Sequence, residues 1–164
     1  MKTLHAEPLS LEAFAPFGQY ASLVDNDDIA PAGVATDFSA DLVPMLTSSP
    51  MPVCFSVLKS YKRDMVVDAL EFHNYTGEGM LCPDDDVVIH VAPATNRTLA
   101  LDKTRAFYIP KGTLVMLKVA VWHYAAFPVH KNKANVIIIL PERTYANDCE
   151  VVKLKEEEQF RIVL

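Results

Sequence analysis

The stretch Arg105 to Pro128, RAFYIPKGTLVMLKVAVWHYAAFP, reads as strand, tight turn, strand and a Trp-His pair. The turn is Pro110-Lys111-Gly112: Pro fixes φ, and Gly supplies the permissive φ that a sharp reversal needs. From Leu114 to Val121 six of eight residues are strongly apolar, and Lys118 interrupts them. An ammonium inside a packed sheet is costly unless a cavity solvates it or a partner neutralises it. Trp122-His123 follow directly. Titratable side chains set into β-type sequence suggest a pocket lined from inside a β-barrel.

Working outward, Val87–Ala92 (VVIHVA) and Asn135–Leu140 (NVIIIL) are β-branched runs of strand length, each stopped by a proline. Val53–Leu58, Met65–Phe72, Cys149–Leu154 and Gln159–Leu164 add further strand candidates, and Asn74–Gly77 reads as a turn. The one helix expected spans Leu9–Gly18, capped by Ser10 and ended by Pro16 and Gly18. Its shortness means that docking must stabilise it. Asp25–Pro52, rich in Asp, Pro, Ser and Gly, reads as a surface excursion with a turn of helix at Asp41–Leu46. Many short strands, one helix and 11 prolines predict an all-β protein, a closed or double-sheet barrel. Length places residues 1–164 in one domain.

Charge narrows the function. The net charge is −6, and acidic residues collect at Asp25–Asp28, Asp84–Asp86 and Glu156–Glu158 with no basic patch to offset them. Nucleic acid is excluded as a partner on these grounds. The longest apolar runs are strand-length, too short for a membrane span. Three cysteines without a CxxC pair, and a start lacking the apolar core of an export signal, predict reduced thiols in the cytoplasm. The thiols themselves read as core filler.

The five histidines differ in promise. His5 and His130 read as surface. His90 lies mid-strand; with Val87, Ile89 and Val91 on one face, it shares the other with Val88 and Ala92. His73 ends Leu70-Glu71-Phe72-His73, Glu78 follows five residues on, and His123 comes after the Pro-x-Gly turn. His73, Glu78 and His123 suit a divalent metal (Zn²⁺, Mn²⁺ or Fe²⁺) as N and O ligands. They suit acid–base catalysis equally well, so the residues leave open whether a metal is bound. Lys118 beside them favours an anionic substrate or an oxyanion. The candidate catalytic set is His73, Glu78, Lys118 and His123; the candidate substrate-binding set is Lys118, Tyr75, Trp122 and Arg105.

His73-x4-Glu78, Pro110-x-Gly112 and Trp122-His123 together resemble a diverged cupin barrel. More narrowly, the chain resembles the ureidoglycolate lyase family nearly end to end. Leu9-Ser10-x-Glu12-Ala13-Phe14-x-x-Phe17-Gly18 resembles the family's opening and Leu70-Glu71-x-His73 its barrel entry. Arg105-Ala106-Phe107, Val121-Trp122-His123 and Asp148-Cys149-Glu150-Val151 follow in order. Two positions depart: Glu78 stands where the family usually has Gln, and Lys118 where it carries His. The family's Asn-Gly and Arg-bearing N-terminal segment has no clear counterpart in Asp25–Asp41.

The resemblance implies a cupin-type jelly-roll homodimer that splits ureidoglycolate into glyoxylate and urea in allantoin breakdown. In such a reaction a base takes the carbinolamine hydroxyl proton, C–N breaks as C=O forms, and an acid protonates the departing urea. His123 or Glu78 would be the base, His73 the acid, and Lys118 the carboxylate anchor. Two other readings stay open: a cupin acting on another small hydroxy, keto or sugar acid, and a non-catalytic binder of small acids.

Overall fold

A computed structural model describes residues 1–24 and 38–164. Strands dominate them. The first half runs β1 (Lys2–Pro8), α1 (Leu11–Phe14), β2 (Gly18–Ser22), β3 (Val53–Tyr61), β4 (Val66–Val67), β5 (Ala69–Phe72) and β6 (Glu78–Leu81). There follow β7 (Val87–Ala92), β8 (Arg105–Ile109), β9 (Thr113–Leu117), β10 (Trp122–His123), β11 (Phe127–Pro128) and β12 (Lys133–Pro141). Helix α2 (Thr144–Asn147), β13 (Glu150–Lys153) and β14 (Phe160–Val163) close the chain.

These strands form two sheets. One has nine strands in the order β13-β5-β10-β7-β8-β1-β14-β4, with β11 also on β7; the other has five, β2-β9-β6-β12-β3. All six residues of β7 are buried, which explains its unbroken apolar sequence. Val87, Ile89 and Val91 pack into a core shared with Met80, Val115 and Val136 of the five-stranded sheet. Val88 and Ala92 pack on the opposite face with Leu70, Phe72, Trp122, Phe160 and Ile162. The nine-stranded sheet thus curls around a second core of its own. The all-β, jelly-roll class expected from the sequence is the observed one, with a short N-terminal helix.

Several local expectations change. Helix α1 is one turn long: Ser10 Oγ accepts from Ala13 N at 3.2 Å, and Pro16 has no N–H to extend the ladder. Phe14, fully buried, anchors it edge-on to Phe107 at 5.1 Å. The Pro-Lys-Gly turn forms, with Thr113 N on Pro110 O at 3.1 Å and Gly112 at φ 81°, as the third residue of a type II turn requires. Its flanking strands do not pair with each other, however. The turn carries the chain from one sheet to the other. Asp41–Leu46 forms bends and no helix; Asp41 has φ 53° and Pro44 disfavours a helical residue before it. The Asp25–Asp28 run lies outside the described residues. Strand β14 is covered by the chain itself, parallel to β1 and antiparallel to β4.

His90 faces the second core as its register predicts. It is 1% exposed, with Nε2 3.4 Å from Ala69 O and Nδ1 without a partner among the described residues. Burial, opposed only by the Ala69 contact, lowers its pKa from 6.5 to about 3. The unfolded chain therefore binds a proton between those values that the folded chain refuses, so stability falls as pH drops through that window. We predict that wild type loses on the order of 4 kcal/mol between pH 6.5 and 3 through this residue. His90→Leu should lack that component while staying within about 1 kcal/mol of wild type at neutral pH. Urea melts of both proteins across this pH range check it; parallel curves contradict it.

Candidate active site

Period-two alternation builds the site. On β5, Leu70 and Phe72 point into the second core, so Glu71 and the following His73 point the other way. On β10, Trp122 packs against Phe72 with ring centroids 4.3 Å apart, which turns His123 inward. His123 sits opposite Glu71 in the β5–β10 ladder. Glu78 opens β6 on the facing sheet, returned there by the turn after His73.

The carboxylate and the two imidazoles touch. Glu78 Oε2 lies 3.0 Å from His73 Nε2 and 3.2 Å from His123 Nε2. The two rings are 5.3 Å apart, and all three residues are buried. Each imidazole is held from behind by a carbonyl: His73 Nδ1–H donates to Asp148 O at 2.6 Å, and His123 Nδ1–H to Val121 O at 2.9 Å. Burial alone would raise the Glu78 pKa, but the charge and hydrogen bonds of His123 and His73 outweigh it and hold it at about 2. Burial likewise disfavours the His123 imidazolium, and Glu78 overrides it, raising His123 to about 8. The Cys149 thiol donates to Glu71 Oε2 at 3.2 Å. Burial and that carboxylate push the thiol up to about 12, so it stays protonated and inert.

The same residues fit a divalent metal. One donor atom each from Glu71, His73 and His123 lies within 4.8 Å of the others. Carbonyls on both Nδ1 atoms leave the Nε2 lone pairs for the centre, as outer-shell partners of metal-bound histidine do.

A cavity of about 680 Å³ opens in front of this cluster. Glu71, His73 and Glu78 line its polar side; Met80, Val136, Ile138 and Leu140 line it from the five-stranded sheet. His123 sits behind Glu78 and does not line it. Arg143 does, and is the one Lys or Arg among the described residues that does so. A family model described as ureidoglycolate lyase matches residues 1–161. The chain belongs to the ureidoglycolate lyase family.

A search of curated proteins finds no match for this family member. Among solved structures it is similar to an oxalate decarboxylase studied for substrate binding and a reaction-specificity switch. That match has 17% identity and a TM-score of 0.44, covering 62% of this chain and 24% of that one. Bacillus subtilis oxalate decarboxylase, studied for its Mn(II) centres, matches at 15% identity and TM-score 0.45, over 67% of this chain and 27% of that one. The chain thus spans about a quarter of the length of these structures.

Within this ureidoglycolate lyase family member, His73, Glu78 and His123 come together, and four other placements are corrected. Lys118 is exposed, outside the cavity, with Nζ on Ala15 O at 2.5 Å. Strand β9 ends at Leu117, and the Lys118 N–H bonds to Phe17 O, so the residue leaves the inward alternation. Arg105 pairs with Glu7 and lies over the Phe107 ring at 5.0 Å. Trp122 is 1% exposed in the second core, its Nε1–H on Thr95 Oγ1 at 3.1 Å. Tyr75 is exposed and lines a separate hollow beside Ser48–Met51. Cys54 and Cys149 line the cavity, while Cys82 is core. Glu71 and Arg143 were missed. Two-residue spacing from His73 marks Glu71; nothing local marks Arg143, which follows β12 with φ 63°.

In metal-free protein, we predict that His123 titrates near pH 8 and that Glu78→Gln lowers it, because burial then loses its strongest opponent and only the Val121 carbonyl and Glu71 still favour the charged ring. NMR titration of the imidazole signals reads this directly. An unshifted His123 in the variant contradicts the Glu78 coupling.

Proposed function

We propose that this protein cleaves the C–N bond of ureidoglycolate, releasing glyoxylate and urea. The observation that carries it is one cavity faced by a buried imidazole–carboxylate–imidazole chain, two further carboxylates (Glu71 and Glu142) and a single cation, Arg143. The substrate offers a hydroxyl proton to remove, a nitrogen to protonate and a carboxylate to anchor.

Each need meets a group. Glu71 is the base: it faces the cavity, whereas Glu78 is committed to two imidazoles and is held at about 2, too weak to take the proton. His73 lines the cavity and is the acid for the departing nitrogen. His123, raised to about 8, stands behind Glu78 and holds its own proton against that carboxylate, keeping it ionised. Arg143, whose guanidinium makes no hydrogen bond or ion pair with the described residues, takes the anchoring role that Lys118 is placed too far out to fill. In place of these proton-transfer roles, Glu71, His73 and His123 would hold a divalent ion in a metal-bound form, and its charge would make the hydroxyl more acidic. The remaining walls are chiefly apolar, with Leu58, Met80, Val136 and Ile138 among them.

The same proposal includes a homodimer in the cytoplasm, in keeping with allantoin breakdown. Three free thiols support a reducing compartment. Val53, Phe55 and Val57 are exposed on edge strand β3 and would be covered by a second copy. No helix among the described residues is long and apolar enough to cross a membrane.

Assays of glyoxylate release should show Glu71→Gln lowering kcat by about 10²-fold or more. Arg143→Gln should raise KM by about tenfold, while Lys118→Ala turns over like wild type. Full activity in Glu71→Gln, or its loss in Lys118→Ala, contradicts these assignments.

A further inference from the structure

The cavity is larger and more apolar than ureidoglycolate needs. At about 680 Å³ it falls within the roughly 300–1,000 Å³ that takes drug-sized ligands, the liquid share of ~20 water molecules. Ureidoglycolate is a small molecule with a polar atom on every carbon. Seated at Glu71 and His73, it would leave the half-buried apolar residues of the five-stranded sheet's inner face, Leu58, Ile138 and Leu140, against water. That face is continuous: Ile138 pairs with Met80 on one side in the ladder, and Val136 with Leu58 on the other. All four line the cavity. Apolar surface of this kind gains by meeting an apolar group.

The chemistry permits such a group. The bond that breaks joins the carbinol carbon to nitrogen, and whatever lies beyond the acyl carbon takes no part. We propose that the preferred substrates are N-acyl-α-hydroxyglycines whose acyl group is apolar or aromatic. This rests on the carbinolamine cleavage proposed above and widens its substrate class. The reaction is R–CO–NH–CH(OH)–COO⁻ → R–CO–NH₂ + OHC–COO⁻. The hydroxyl proton passes to Glu71, the O–H pair becomes the new C=O bond, the C–N pair leaves with nitrogen, and His73 protonates it. No water, oxidant or reductant is consumed. The carboxylate lies toward Arg143, and the acyl group along Leu58, Ile138 and Leu140.

The test compares N-benzoyl-α-hydroxyglycine with ureidoglycolate on the wild-type protein by glyoxylate release. The benzoyl compound should show at least tenfold higher kcat/KM. Its non-reacting counterpart, N-benzoylglycine, should bind at least tenfold more tightly than N-carbamoylglycine in calorimetry. Ile138→Asp should shrink the kinetic preference fivefold or more; if that variant does not fold, the wild-type ligand pair still decides. Cleavage of ureidoglycolate without a preference for the benzoyl compound overturns this inference and leaves the proposed reaction standing. Cleavage of neither compound overturns the reaction and the inference together. Equal binding of the two glycine derivatives, or an unchanged preference in Ile138→Asp, also overturns the inference.

Discussion

A carboxylate with almost no water around it can stay ionised only if the protein surrounds it with donors or charge. Glu78 is in that position, and its two imidazoles meet the requirement: each lies within hydrogen-bond reach of the same oxygen. The constraint runs in both directions. Without Glu78, two buried imidazoles would face each other across a few ångströms with their shared counter-charge gone. Without the imidazoles, the carboxylate would bear its full desolvation cost. The backbone carbonyls of Asp148 and Val121 fix the ring orientations, so the sheet scaffold carries the geometry into the site.

The supports of that geometry are spread along the chain. The Asp148 carboxylate accepts from the N–H groups of Asn74 and Tyr75, clamping the turn between His73 and Glu78. Strand β13 pairs with β5 just beyond it, tying the C-terminal segment to the strand that carries Glu71. The Ala120 N–H bonds to His73 O and thereby sets the entry to β10. Residues far apart in sequence thus hold one proton chain in place, and the nearby sheet face shapes what can enter.

Much of this was legible because strands repeat every two residues. VVIHVA announced a strand buried on both faces, and the alternation placed His90 away from the main core. The same rule applied to Leu70–His73 would have added Glu71, and applied to Trp122-His123 it forbids both side chains from lining one cavity. What escaped depends on distant pairing or on backbone outside regular strands. Arg105 finds Glu7 98 residues away because β1 lies parallel to β8, which no local pattern announces. Lys118 looked inward only if β9 continued past Leu117. Arg143 owes its place at the cavity to a left-handed residue after β12, which side-chain patterning does not encode. The Pro-Lys-Gly turn was legible as a turn, but whether it pairs two strands or changes sheets is decided by the other strands.

The central claim is that the Glu78-centred cluster is the machinery of a C–N lyase. The most direct measurement is the product balance from ureidoglycolate, glyoxylate and urea quantified together, for wild type and for a Glu78→Leu protein that retains the wild-type melting temperature. The account predicts equal amounts of the two products from wild type and at least a hundredfold slower release from the variant. Ammonia in place of urea, or undiminished release with Leu at this position, would contradict it.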